Sequence, residues 1–167
     1  MSDTSKEMRK LLKQHGYNAR RVSVKHHQYS MGSTVHVTIR DPEVDAEKIK
    51  DIVDKFERVS YDERSGEILS GGNRFVEVKY SEGAKELRRE PFMAAIEEAL
   101  HKLKELDPSD NRTCIEFGSF LMHREYPGSV RVNILSKDAD GSGSAIGSGN
   151  IDYPYTIGDI VAGNWVK

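Results

Sequence analysis

The chain has 167 residues, 37% of them hydrophobic and 31% charged, which is enough to bury a core without covalent staples and too apolar for a disordered segment. One cysteine, Cys114, excludes an internal disulfide and any CxxC zinc or redox motif, and no apolar run approaches the ~20 residues that cross a bilayer. The formal charge of −2 hides a gradient: residues 1–40 hold eight Lys or Arg against Asp3 and Glu7, a balance of +6, so the remainder sums to −8. Two readings of that gradient stay open. A basic end suits a polyanionic partner, or it attracts the acidic remainder of its own molecule. The opening MSDTSKEMRK has no apolar stretch of the secretory type, so the expected location is the cytoplasm, with no membrane partner.

The elements follow in order. Residues 3–16 read as an amphipathic helix, with Met8, Leu11 and Leu12 on one face and Gly16 as its stop. Two strands come next. Val22 and Val24 alternate with Ser23 and Lys25; Val35, Val37 and Ile39 alternate with His36, Thr38 and Arg40. The break at Met31-Gly32 predicts an antiparallel hairpin. A helix carrying Ile49, Ile52, Val53 and Phe56 follows, capped by Asp41 or by Asp45. Residues 57–72 read as loop and residues 73–80 as a third strand, with Val76 and Val78 inward. Residues 81–90 are strongly charged and ambiguous, with a helical turn leading to Pro91 as the reading left open. A helix should run from Pro91 to Leu106, and Pro108 ends it. One strand is expected over Thr113–Arg124 and another over Val130–Leu135, joined by Pro127-Gly128. Residues 136–150 (SKDADGSGSAIGSGN) read as a Gly/Ser loop, and a short helix capped by Thr156 and stopped by Gly163 ends the chain, with Trp165 docked on the body.

The sum is an α+β fold. It has a mainly antiparallel sheet of about five strands, with three main helices on one face, in the order αββαβαββ plus the terminal helix. Residues 1–80 and 81–167 form two successive units, expected to pack as one domain. Both halves read helix, strand, Gly-Ser turn, strand, through YSMGSTVHVTI and EYPGSVRVNI. That echo is either a duplication or the common way to build half a sheet.

The first half carries a resemblance. The basic helix leads into YSMGSTVHVTIRD. Then come IKDIVDKFE, the Tyr61-Asp62 pair in SYDERSG, the Gly71-Gly72 step and NRFVEVKY. Over residues 5–80 this succession resembles the large polyvalent protein-associated domains, specifically the twenty-ninth group of that series. The chain departs from the group at IRDPEV, where an aromatic residue followed by Asp-Gly-Pro is usual. The resemblance implies a phage or mobile-element setting, no catalytic activity to carry over, and a partner that is nucleic acid or a host protein.

Five constellations are candidate sites. A strand's period of two puts Ser23, Lys25, His27, His36, Thr38 and Arg40 on the face opposite the valines, with Arg20 and Arg21 where the first strand begins. Arg20, Arg21, Lys25, His27, His36 and Arg40 are thus the expected nucleic-acid contacts, through phosphate attraction and stacking on imidazole or guanidinium planes. A solvated sheet face is the plain alternative. VHVTI (35–39) is half of a two-histidine phosphoesterase signature, and no second His-x-Thr or His-x-Ser supplies the other acid–base group. His26 and His27 are adjacent on a strand and face opposite ways, so neither they nor His36 make a metal set. Asp138, Asp140, Ser142 and Gly143 imitate a calcium loop, but position twelve is Gly149 in place of a glutamate. Cys114 has no partner to activate it and reads as structural. No motif implies a cofactor or a metal. The expected function is a non-enzymatic accessory binding module, with a protein-interaction module and a phosphoesterase around His36 as alternatives.

Overall fold

A computed structural model describes residues 3–68, 71–137 and 143–164. The chain divides into two compact units between Ala84 and Lys85. The first contains α1 (Asp3–Gln14), β1 (Val22–Tyr29), β2 (Gly32–Ile39), α2 (Ala46–Val53), a 3₁₀ turn (Asp54–Phe56) and β3 (Asn73–Tyr80). The hairpin pairs Val22 with Ile39 and Lys25 with His36, so the alternation in the sequence becomes a two-faced sheet. One face buries Val22, Val24, Val35, Val37 and Ile39 against Met8 and Leu12 of α1 and Ile49 and Val53 of α2. Asp45, not Asp41, caps α2, accepting from the Glu47 amide at 3.0 Å. Tyr80 locks the approach to that helix. Its hydroxyl donates to the Val44 carbonyl at 2.8 Å and accepts from the Ala46 amide at 3.2 Å.

The sheet order is β1-β2-β3, and β3 runs parallel to β2. A wholly antiparallel arrangement is excluded by the connection: α2 carries the chain back to the end where β2 began, and a helical crossover makes neighbouring strands parallel. At the start of that pair, Gly32 lies against Asn73. A Cβ on Gly32 would stand 2.5 Å from the Asn73 carbonyl oxygen, so only glycine fits.

The second unit contains α3 (Glu82–Glu105), which begins in the last residues of the first unit, then β4 (Ile115–Phe117), β5 (Phe120–Arg124), β6 (Arg131–Lys137), β7 (Gly143–Asn150) and α4 (Pro154–Val161). The four strands form one antiparallel sheet in chain order. Its core gathers Ile96, Leu100, Leu103, Met122, Ile134 and Ile157. The α+β class therefore stands, but the described strands number seven and make two sheets, not one of about five.

Three local expectations change, each for a physical reason. The stretch 81–90 is helix, and α3 passes through Pro91. Arg88 donates to the Asn164 side chain at 3.0 Å and to the Ala162 carbonyl at 2.7 Å, and Arg89 pairs with Asp159 at 3.1 Å; these anchors hold the charged turns helical. The strand expected over Thr113–Arg124 is a hairpin, because Gly118 (φ +56°) turns the chain between the paired Phe117 and Phe120. Thr156 does not cap α4; Pro154 opens it at the first position, which needs no amide donor. Val130 precedes its strand and is exposed, and Cys114 is exposed as well.

The largest change is in the Gly/Ser stretch. Gly143–Asn150 is a strand paired along β6, and its glycines serve packing. A Cβ on Gly149 would lie 2.7 Å from Ile157 Cγ1, and one on Gly147 would lie 2.9 Å from Ile160 Cγ2. The two glycines let α4 approach the sheet closely. The calcium-like residues Asp138, Asp140 and Ser142 lie outside the described residues, as does Trp165; the loop's twelfth position, Gly149, is this packing glycine.

Candidate functional site

The end of α1 builds one wall of a groove. Gly16 takes φ +86°, its amide donates to the Lys13 carbonyl at 3.1 Å, and the Tyr17 amide donates to the Leu12 carbonyl at 2.9 Å. This paired closure is the Schellman stop, which brings the residue after the glycine back onto the helix's last turn and so places Tyr17 over Leu12. Asn18 then shapes the next turn. Its side-chain oxygen accepts from the Arg20 amide at 2.9 Å, and its carbonyl accepts from the Val22 amide at 2.9 Å, where β1 begins.

Between that turn, α1 and the edge strand β1 lies an open groove of about 560 Å³. Arg9, Lys13, Lys25 and Arg40 stand around it, and no carboxylate is among the described residues that line it. The buried side chains of Leu12, Val22 and Val24 back it, and the half-buried Tyr17 ring stands at its side. Arg9 also donates to the Val24 carbonyl, tying α1 to the outer edge of β1.

The polar face of the first sheet adjoins this groove through Lys25. The register sets Lys25, His36 and Glu77 in one row across the three strands, with Thr38 and Lys79 in the next. The His27 and His36 rings meet edge to face at 5.1 Å. His36 Nδ1 pairs with Glu77, which also takes the Lys79 ammonium at 3.2 Å. Burial works to raise the Glu77 carboxyl, but the bonds to His36 and Lys79 outweigh it and hold it below the ordinary carboxylate range.

The expected contacts therefore divide. Lys25, His27 and His36 come together on the sheet face, and Lys25 and Arg40 meet again at the groove. Arg20 is exposed on the turn and lines neither. Arg21 is occupied: its Nε holds Asp41 at 2.5 Å, and its guanidinium lies 5.9 Å from the Tyr17 ring. The Glu43 amide first, then Arg21, keeps the Asp41 carboxyl below its ordinary value. Of the eight cations in residues 1–40, Lys10, Lys13, Arg20, Lys25 and Arg40 make no ion pair among the described residues. Those five cations are therefore not engaged in direct ion pairs among the described residues.

Sequence reasoning missed Arg9, Lys13 and Tyr17. Their signal was present: two cations four apart on a helix, then a glycine stop followed by an aromatic residue. Among the described residues, no three His, Cys, Asp or Glu side chains cluster tightly enough to hold a metal ion, and no helix is long and apolar enough to cross a membrane. No known protein family matches the chain, and no curated protein and no solved structure matches it.

Proposed function

We propose that this chain is a non-enzymatic binding module for a polyanion, nucleic acid foremost, of the kind carried by phages and other mobile elements. The support is one observation: four cations, Arg9, Lys13, Lys25 and Arg40, surround a single groove lined by no described carboxylate. Such a groove concentrates positive potential against a low-dielectric backing and attracts phosphate. The mobile-element setting rests on the resemblance of residues 5–80.

The test is salt. Each phosphate neutralised contributes a log–log slope of about −0.7 on single strands and about −0.9 on duplexes. With Arg9 held at the Val24 carbonyl, the three contacts of Lys13, Lys25 and Arg40 give a slope of roughly −2 to −2.7, so a fourfold rise in salt should weaken binding about 20- to 40-fold. Fluorescence anisotropy with labelled DNA and RNA reads this directly. A variant with Lys13, Lys25 and Arg40 all changed to Gln should keep a slope no steeper than about −1. No binding of either nucleic acid at low salt would sink the proposal.

A second reading, hydrolysis of a phosphate ester, has one contact in its favour. His36 is oriented through Nδ1 by Glu77, and His27 stands 5.1 Å away, so two imidazoles could share acid and base roles. Phosphoesterase activity that survives His36→Ala would remove this reading.

A further inference from the structure

The geometry points to a single-stranded nucleic acid as the groove's ligand, with one base seated against the Tyr17 ring and its flanking phosphates on the rim. This rests on the polyanion reading and narrows it. A groove that served charge alone would need no aromatic side chain; this one has the half-buried Tyr17 ring at its side, backed by the buried Leu12, Val22 and Val24. At about 560 Å³ it falls in the size range of small-ligand sites, so it takes one unit of a polymer at a time.

A duplex cannot use such a site. Its bases are stacked inside, its phosphates lie on a convex surface, and a concave cleft would meet only the backbone while the Tyr17 ring went unused. A single strand can splay one base out and lay it against Tyr17. The ring is held for that task twice: by the Gly16 stop, which folds it onto Leu12, and by the Arg21 guanidinium 5.9 Å from its centre. Arg21 in turn is fixed by Asp41 at 2.5 Å. The pairing therefore removes Arg21 from phosphate contact and assigns it to positioning the ring. Lys13, Lys25 and Arg40, all exposed and without an ion pair among the described residues, remain for phosphate.

The experiment compares three labelled probes on the full chain at one low salt concentration: a short single strand, the same sequence as a duplex, and heparin, a polyanion without bases. The single strand should bind at least tenfold more tightly than either of the others, the size of effect that one stacked base supplies. Ala19 lines the groove, so Ala19→Leu narrows it without changing charge or adding a stacking ring and should abolish that preference while leaving the residual duplex affinity in place. Tyr17→Leu keeps an apolar side chain over Leu12 and should cost the single strand about tenfold and the duplex nothing; it serves as the test if Ala19→Leu does not fold. Equal binding of single strand and duplex, of single strand and heparin, or an unchanged preference in both variants would overturn the inference and leave the polyanion reading intact. Absence of binding to all three probes would overturn both.

Discussion

Replacing Gly149 with alanine should destabilise the second unit by about 1–2 kcal/mol, and the reason is a single methyl group. An ideal Cβ at that position stands 2.7 Å from Ile157 Cγ1 and 3.6 Å from its Cδ1. Ile157 is fully buried, and Cγ1 is bonded to its own Cβ, so the side chain cannot swing its tip away. Either α4 lifts from β7 or Ile157 leaves its rotamer. Overpacking of this kind costs about 1–3 kcal/mol. Against it stands the lower entropy of the unfolded chain once glycine becomes alanine, about 0.4–1 kcal/mol. At the midpoints of these ranges about 1.3 kcal/mol remains, which changes the folded-to-unfolded ratio roughly tenfold. Urea unfolding followed by circular dichroism measures it, and amide exchange on β6 and β7 localises it. The decisive control is Ile157→Ala, which removes the obstructing carbon: in that background the added methyl should cost nothing. If Gly149→Ala is as stable as the parent, or costs the same in both backgrounds, glycine is not in β7 for packing.

Other outcomes follow from the same structure. Gly16→Ala meets no atom within 4 Å, so its cost of about 1 kcal/mol is purely that of φ +86°; the midpoint of thermal unfolding should fall, and nucleic-acid binding should weaken with it as Tyr17 moves. Glu77→Gln removes the one carboxylate from the row shared with Lys25 and His36, and anisotropy at low salt should show tighter binding; unchanged affinity would mean the sheet face takes no part. Arg124 is buried and donates to the Ser129 and Leu103 carbonyls at 2.9 and 3.0 Å, so Arg124→Ala leaves two acceptors without their donor and should cost about 2–4 kcal/mol in denaturant unfolding. The Asp110 carboxyl is held below its ordinary 3.8, by the Thr113 hydroxyl first and then by the Thr113 and Arg112 amides. A depressed carboxylate contributes stability that is full above the unfolded value, near pH 4, and is lost as pH falls through the folded value. Protection of the 110–113 amides, taken relative to their intrinsic exchange rates, should therefore fall as pH drops below about 4, and Asp110→Asn should flatten that dependence.

Much of the first unit was legible in the chain alone, because local rules and tertiary needs agree there. Val22 and Val24 against Val35, Val37 and Ile39 fix both the hairpin and its buried face, since a slip of one residue would turn every valine to water. Gly16 ends α1 where the sequence says it should, and the period of two puts Lys25, His27 and His36 on a common face. What the tertiary structure decided is everything that depends on a neighbour distant in sequence. A helix crossover made β3 parallel. Arginines anchored to α4 turned an ambiguous charged stretch into two turns of α3. Contact with Ile157 and Ile160 made a strand of glycines that composition alone reads as a loop.

The candidate site divides along the same line. Charge in the first forty residues is a property of the sequence, but its usefulness is a property of position. Arg21 carries the same charge as Arg40, yet Asp41 occupies one and leaves the other at the groove. Arg9 and Lys13 join that groove only because α1 packs beside the edge of β1. Sequence determined that this chain has a basic end and a two-faced sheet; only the fold decided which cations meet, because a groove is made by residues that no local pattern brings together.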